Sequence, residues 1–123
     1  MKKAVIVTGR HFAGKSKTIK KYFKPLIGLT SRQRNFSNGR VLSQSLEERG
    51  LDSVKNFISR YGDFKYLVCA ARPDGEIPSL FRALKIELER IGYTVFTVLI
   101  EENQKEKFYK SKANEIYNYL YGT

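Results

Sequence analysis

The sequence predicts an α/β domain: three layers, with a mostly parallel central sheet of about five strands between helices. Two observations predict it. Near-continuous apolar runs, AVIV at 4–7, KYLVCAA at 65–71 and TVFTVLI at 94–100, have the character of strands buried on both faces. Around them, apolar residues recur at i, i+3, i+4 and i+7, the spacing of amphipathic helices. Strands alternating with helices build parallel sheets, because a parallel neighbour needs a long crossover.

AVIV is the first strand, and a loop over 8–14 follows it. From Lys15 the spacing predicts a helix with Ile19, Tyr22, Phe23 and Leu26 on one side, Pro25 marking where regular helix stops. Lys17, Lys20, Lys21 and Lys24 repeat the spacing on another face as a basic stripe. Over 30–46, QRNF and RVLSQS flank Ser37-Asn38-Gly39, a hairpin signal because Asn-Gly readily supplies positive φ. That hairpin supplies the expected antiparallel pairing. Asp52 is placed to N-cap a helix carrying Val54, Phe57, Ile58 and Tyr61, closed by Gly62. After KYLVCAA, the tetrad Arg72-Pro73-Asp74-Gly75 turns into a helix bearing Leu80, Phe81, Leu84, Leu88 and Ile91, ended by Gly92. TVFTVLI and a last helix near 105–121, with Phe108, Tyr109, Ala113, Ile116, Tyr117 and Leu120 on one side, complete the chain. No repeat or linker interrupts residues 1–123, which read as one domain.

A 41% hydrophobic and 13% aromatic composition with three prolines excludes a disordered, collagenous or low-complexity chain. No apolar run approaches the ~20 residues of a membrane span, and the apolar part of MKKAVIVTG is too short for a signal sequence. Cys69 is the single cysteine, so no internal disulfide forms; it reads as a small buried apolar residue and agrees with a cytoplasmic location. Charge is more telling. Residues 1–60 carry 14 Lys/Arg against Glu47, Glu48 and Asp52, a net +11, whereas residues 61–123 carry nine charges of each sign. A phosphate or polyanion partner for the first half follows from that asymmetry.

The chemistry concentrates in GRHFAGKS, residues 9–16, which spaces glycines, lysine and serine as G-x-x-x-x-G-K-S between the first strand and the first helix. Such a loop suits a phosphate chain. Backbone N–H groups can curl around the anion, Gly9 and Gly14 permit the turns and the close approach, and the helix beginning near Lys15 aims its positive end at the same place. Lys15 would reach the β- and γ-phosphates, and the Ser16 hydroxyl would ligate Mg2+. Through Gly9, Gly14, Lys15 and Ser16 the chain resembles the P-loop (Walker A) NTPases over residues 4–24, and no individual family within them is identified. The resemblance implies a single nucleotide-binding domain that holds ATP or GTP with Mg2+ along Gly9, Arg10, His11, Phe12, Ala13, Gly14, Lys15, Ser16 and Lys17. The base-reading pattern N-K-x-D is absent, which tilts the reading toward ATP.

Arg10, His11 and Phe12 fill positions where small residues are common in such loops. His11 reads as an exposed loop side chain or as a phosphate partner, Phe12 as packing against the next loop or a base, and Arg10 as added positive field. P-loop enzymes generally place an acid at the end of a second apolar strand to help hold magnesium, but YLVCAA ends in alanines and Arg72. Asp74, Glu76, Glu101 and Glu102 follow strands, but Glu47 and Glu48 are favoured for that role, since Gln44-Ser45 precedes them and they end the carboxylate-free stretch. Arg72, constrained by Pro73, reads as a catalytic group over a transferring phosphoryl or an acceptor's phosphate, or as an ion pair with Asp74 or Glu76. The lysine stripe with Arg32, Arg34 and Arg40 would track a nucleic-acid backbone, or be a solvated face. Three functions follow: an ATPase or small phosphotransferase, a basic nucleic-acid-binding module, or a nucleotide sensor that keeps only the phosphate loop.

Overall fold

The five expected strands form one sheet. The structure is a computed structural model that describes residues 2–10, 14–47, 54–75 and 79–122. The strands are β1 (Lys2–Thr8), β2 (Asn35–Phe36), β3 (Gly39–Ser45), β4 (Tyr66–Ala71) and β5 (Tyr93–Leu99), arranged in the order β2-β3-β4-β1-β5. Only β2 and β3 are antiparallel; β3, β4, β1 and β5 all run the same way. β1 is therefore central, paired along its length from Lys3 to Tyr66 through Thr8 to Ala71, and on its other side from Lys2 to Tyr93 through Thr8 to Leu99.

Among the described residues, four helices cover the sheet. The first, α1, comprises three consecutive pieces, Lys15–Lys17, Thr18–Phe23 and Lys24–Leu26; the others are α2 (Val54–Tyr61), α3 (Phe81–Arg90) and α4 (Glu106–Tyr121). Ile19 and Phe23 of α1 and Tyr109, Ala113, Ile116 and Leu120 of α4 pack on Val5, Val7, Val68 and Val98. Val54, Phe57 and Tyr61 of α2 and Leu84 and Leu88 of α3 pack on Ala4, Ile6, Leu67 and Cys69 on the opposite face. The alternation Ala4, Val5, Ile6, Val7 feeds both cores, and none of the four exposes any surface. Each large apolar side chain buried this way contributes about 1.5–3 kcal/mol. Cys69 is buried as expected, its thiol donates to Val5 O at 3.8 Å, and burial pushes its pKa up to about 12.

The turns follow the sequence with one shift of role. Ser37 and Asn38 join β2 to β3, but the positive φ falls on Asn38 (60°), not on Gly39. Gly39 instead leaves room for Phe36, whose ring a Cβ there would overlap. Helix α3 ends before Gly92 and α2 ends before Gly62, as the spacing predicts, while Asp52 lies outside the described residues.

Helix α1 departs from its expected periodicity. The Thr18–Phe23 piece is π-wound, and the Lys24 N–H donates to Ile19 O, five residues back. The widened turn immediately precedes Pro25, whose ring would clash in an α-helix with the carbonyl four residues earlier. One extra residue in the turn rotates the helix end. Leu26, expected inside, is 44% exposed, and Lys24, expected in the basic stripe, is 2% exposed. The helix then stops in a Schellman arrangement, with Gly28 at φ 77°, Gly28 N–H donating to Pro25 O and Leu29 N–H to Lys24 O.

The Lys24 ammonium donates to Ser31 O at 2.9 Å. Burial lowers its pKa from 10.5, and the positive charges of Lys20, Arg34 and Arg40 lower it further. Between the depressed folded value and 10.5 the unfolded chain holds a proton that the folded chain does not, so stability rises with pH there. The unfolding free energy of the native protein should therefore gain on that of Lys24→Met as pH climbs through this window in urea titrations. Parallel pH profiles would show that the lysine is not held low.

Candidate phosphate-binding site

The chain leaves β1 at Thr8, passes Gly9 and Arg10, and re-enters described structure at Gly14, directly before α1. This is the carboxyl edge of the sheet. After β1 the chain turns to the α1 face and toward β3; after β4 it turns to the α3 face and toward β5. The two connections diverge above neighbouring strands, which opens the crevice where open α/β sheets take ligands.

Gly14 has φ 108° and ψ 19°, a left-handed conformation that favours glycine. A Cβ on it would also lie 2.7 Å from Tyr109 Cε1, so the ring of α4 demands glycine a second time. Gly14 O accepts from both the N–H and the hydroxyl of Thr18, at 2.9 Å each, which seats the first turn. Lys15 is only 7% exposed, and its ammonium donates to Gly9 O and, at 3.2 Å, to Arg10 O. The lysine thus folds back over the loop that precedes it. Ser16 is exposed on the first turn. His11, Phe12 and Ala13 lie outside the described residues.

Lys17 is held by α4. Its ammonium lies 2.6 Å from Glu106 Oε1 and 4.9 Å from the centroid of the Tyr109 ring. Glu106 also accepts from the Tyr22 hydroxyl, and Lys21 stands 3.7 Å from it. The Glu106 hydrogen bond raises the Lys17 pKa, and the Lys17 bond holds the Glu106 carboxyl below its usual range, so both are charged at neutral pH. Glu106 and Tyr109 were not foreseen as site residues. The only sequence signal is that Glu106 opens the last helix and Tyr109 follows at i+3, on the side that faces α1.

The acids are distributed differently from the expectation. Glu47, two residues beyond β3, accepts from Arg72 N–H at 3.0 Å and from Leu80 N–H at 2.7 Å. One carboxylate thus braces both ends of the β4–α3 connection; Ser79 Oγ donates to Arg72 O across the same connection. Glu48 and Glu76 lie outside the described residues. Asp74, considered as a partner of Arg72, instead pairs with Arg82 at 2.5 Å. Arg72, the residue after β4, is half-buried. Beside the alanines that end β4, the hydroxyls of Ser45 and Thr8 are buried and have no hydrogen-bond partner among the described residues. Among the described residues no group of three or more His, Cys, Asp or Glu is placed to hold a metal ion.

A cavity of about 1050 Å3 opens at the ends of β1, β4 and β5, lined by Arg10, Pro73, Asp74, Leu99, Glu101 and Glu102 among others. It combines one guanidinium, three carboxylates and an exposed leucine. The expected lysine stripe is not continuous: Lys17 and Lys21 face Glu106, Lys24 is inside, and Lys20 is exposed and makes no ion pair among the described residues. No helix among the described residues is long and apolar enough to cross a membrane.

No family model, curated protein or solved structure matches this chain. The resemblance to P-loop proteins therefore rests on the sequence motif alone.

Losing the Glu47 carboxylate should loosen the β4–α3 connection even without a ligand. Glu47→Ala should lower the unfolding free energy by about 1.5–3 kcal/mol in urea titrations, the range for bonds to a charged group. Glu47→Gln, whose amide keeps a single oxygen, should fall between native and alanine forms. An unchanged midpoint for Glu47→Ala would remove the brace.

Proposed function

We propose that the protein binds a nucleoside triphosphate, ATP in preference to GTP, with the phosphate chain in the 9–17 loop. One observation carries this reading: a nearly buried lysine ammonium, at a helix N-terminus beyond the central strand, resting on the carbonyls of Gly9 and Arg10. Those carbonyls are weaker partners for an ammonium than phosphate oxygens, which offer full negative charge. A bound polyphosphate would take Lys15 from them. The adjoining cavity is large enough for the nucleoside, with Leu99 against the base and Asp74, Glu101 or Glu102 as acceptors for ribose hydroxyls or a base amino group.

Magnesium bound with the nucleotide would neutralise charge on the β- and γ-phosphates, and the Ser16 hydroxyl, exposed on the first turn of α1, would hold it. Glu47 would have to release two backbone amides to join it. The residues thus support binding more directly than turnover. Hydrolysis or phosphoryl transfer, with Lys15 and Arg72 on the phosphoryl group, belongs to the same reading and would be slow without a carboxylate beside Ser16.

A thermal-shift panel of ATP, GTP, their diphosphates and inorganic phosphate, each with and without Mg2+, checks this. Triphosphates should raise the melting temperature most, ATP more than GTP, and Mg2+ should enlarge the shift. In Lys15→Ala the shift should vanish, and calorimetry should show at least a tenfold loss of affinity. Equal shifts for native and Lys15→Ala protein would reject the loop; shifts indifferent to Mg2+ would favour the sensor over the enzyme.

A further inference from the structure

The opposite, amino edge of the sheet carries a different assembly. Helix α1 runs toward this edge, α4 ends there, and β3 and β4 begin there beside the hairpin. Four aromatic rings make a row across it. Phe36 lies 6.3 Å from Tyr66 with the planes within 9°, Tyr66 meets Tyr121 at 5.3 Å, and Tyr121 meets Tyr117 at 5.0 Å. The last two residues are 40% and 38% exposed, so this end of the row meets solvent.

Cations flank the row. Lys65 stands 5.3 Å over the Tyr66 ring, and the Lys65 and Tyr66 N–H groups both donate to Asn38 O, which binds the ring to the hairpin. Arg34 precedes Phe36 by two residues and, with Lys20, acts on the buried charge of Lys24. Among the described residues the charges that act on Lys24, those of Lys20, Arg34 and Arg40, are all positive. Lys20, Arg32 and Arg34 are exposed and make no ion pair among the described residues. The stretch from Lys2 to Leu46 contains no carboxylate at all.

We propose that this edge binds single-stranded nucleic acid, Tyr117 and Tyr121 stacking on bases while Lys20, Arg32, Arg34 and Lys65 neutralise phosphates. Cations without an ion pair among the described residues, and a ring row that ends in exposed tyrosines, match both parts of a single strand: its charged backbone and its unstacked bases. A duplex offers the charge but hides the base faces, and an anionic lipid surface offers no bases. The surface differs from the α1 stripe expected from spacing, of which it keeps only Lys20. It lies across the sheet from the Lys15 loop and does not depend on nucleotide binding there.

Fluorescence anisotropy of the full chain with a labelled oligothymidine of about 12 nucleotides tests the proposal. Affinity should fall between about 50 and 200 mM salt with a log–log slope of roughly −2 to −3, the value for three to four phosphates on a single strand. Arg34→Glu, and independently Arg32→Glu, should weaken binding about tenfold and flatten the slope. Tyr121→Ala and Tyr117→Ala should each weaken it by about fivefold or more, whereas Tyr121→Phe, which keeps the ring, should bind as the native chain does. Lys15→Ala should bind the oligonucleotide normally. The proposal is overturned by an absence of binding at low salt, by equal affinity for duplex with no effect of the tyrosine changes, or by loss in Lys15→Ala with retention in Arg34→Glu. It is also overturned if phosphatidylserine vesicles capture the protein and the oligonucleotide does not.

Discussion

The complete burial of β1 is the constraint from which the rest follows. Ala4, Val5, Ile6 and Val7 have no exposure because strands pair on both sides and helices cover both faces. A strand so enclosed releases the chain only at its ends, and its carboxyl end lies where the connections from β1 and β4 part company. Whatever chemistry the Gly9–Lys17 segment performs is delivered to that crevice by the packing. Gly14 and Tyr109 then set the angle: the left-handed turn points α1 along the sheet, and the ring closes the space behind it.

Much of this was legible before the coordinates, and the reason is periodicity. Buried parallel strands must be apolar at every position, so AVIV, YLVCAA and TVFTVLI announce themselves, and the glycines at 62 and 92 punctuate helices whose apolar spacing is regular. Within the motif at 9–16, Gly14 is the residue whose type the described backbone demands, with φ 108° and the Tyr109 ring behind it. The assumption of a constant 3.6-residue turn failed in α1. A π turn before Pro25 exchanges Lys24 for Leu26 at the surface, so a helix wheel drawn from the sequence turns the wrong lysine outward.

Contacts between distant elements were not legible. Nothing in the spacing says that Glu47 spans 25 and 33 residues to hold Arg72 and Leu80, nor that Glu106 spans 89 residues to reach Lys17. Both acids act on backbone or lysine groups belonging to the segments that frame the crevice. Position after a strand identified Glu47 as a residue at the ligand edge but left its partners open, since a metal ion and a pair of amides make the same demand on a carboxylate. The likeness to P-loop proteins is weakest at this point, where β4 ends in alanines flanked by two buried hydroxyls.

The depth of the sheet has its own consequence. Strands of seven residues, such as β1 and β3, separate its two edges by roughly 23 Å at 3.3 Å per residue. A mononucleotide seated at one margin leaves the other untouched. That interval exceeds the Debye length of about 8 Å at physiological salt, so charge brought to one margin is largely screened from the other. The two ends of the sheet therefore carry separate electrostatic environments on one rigid frame.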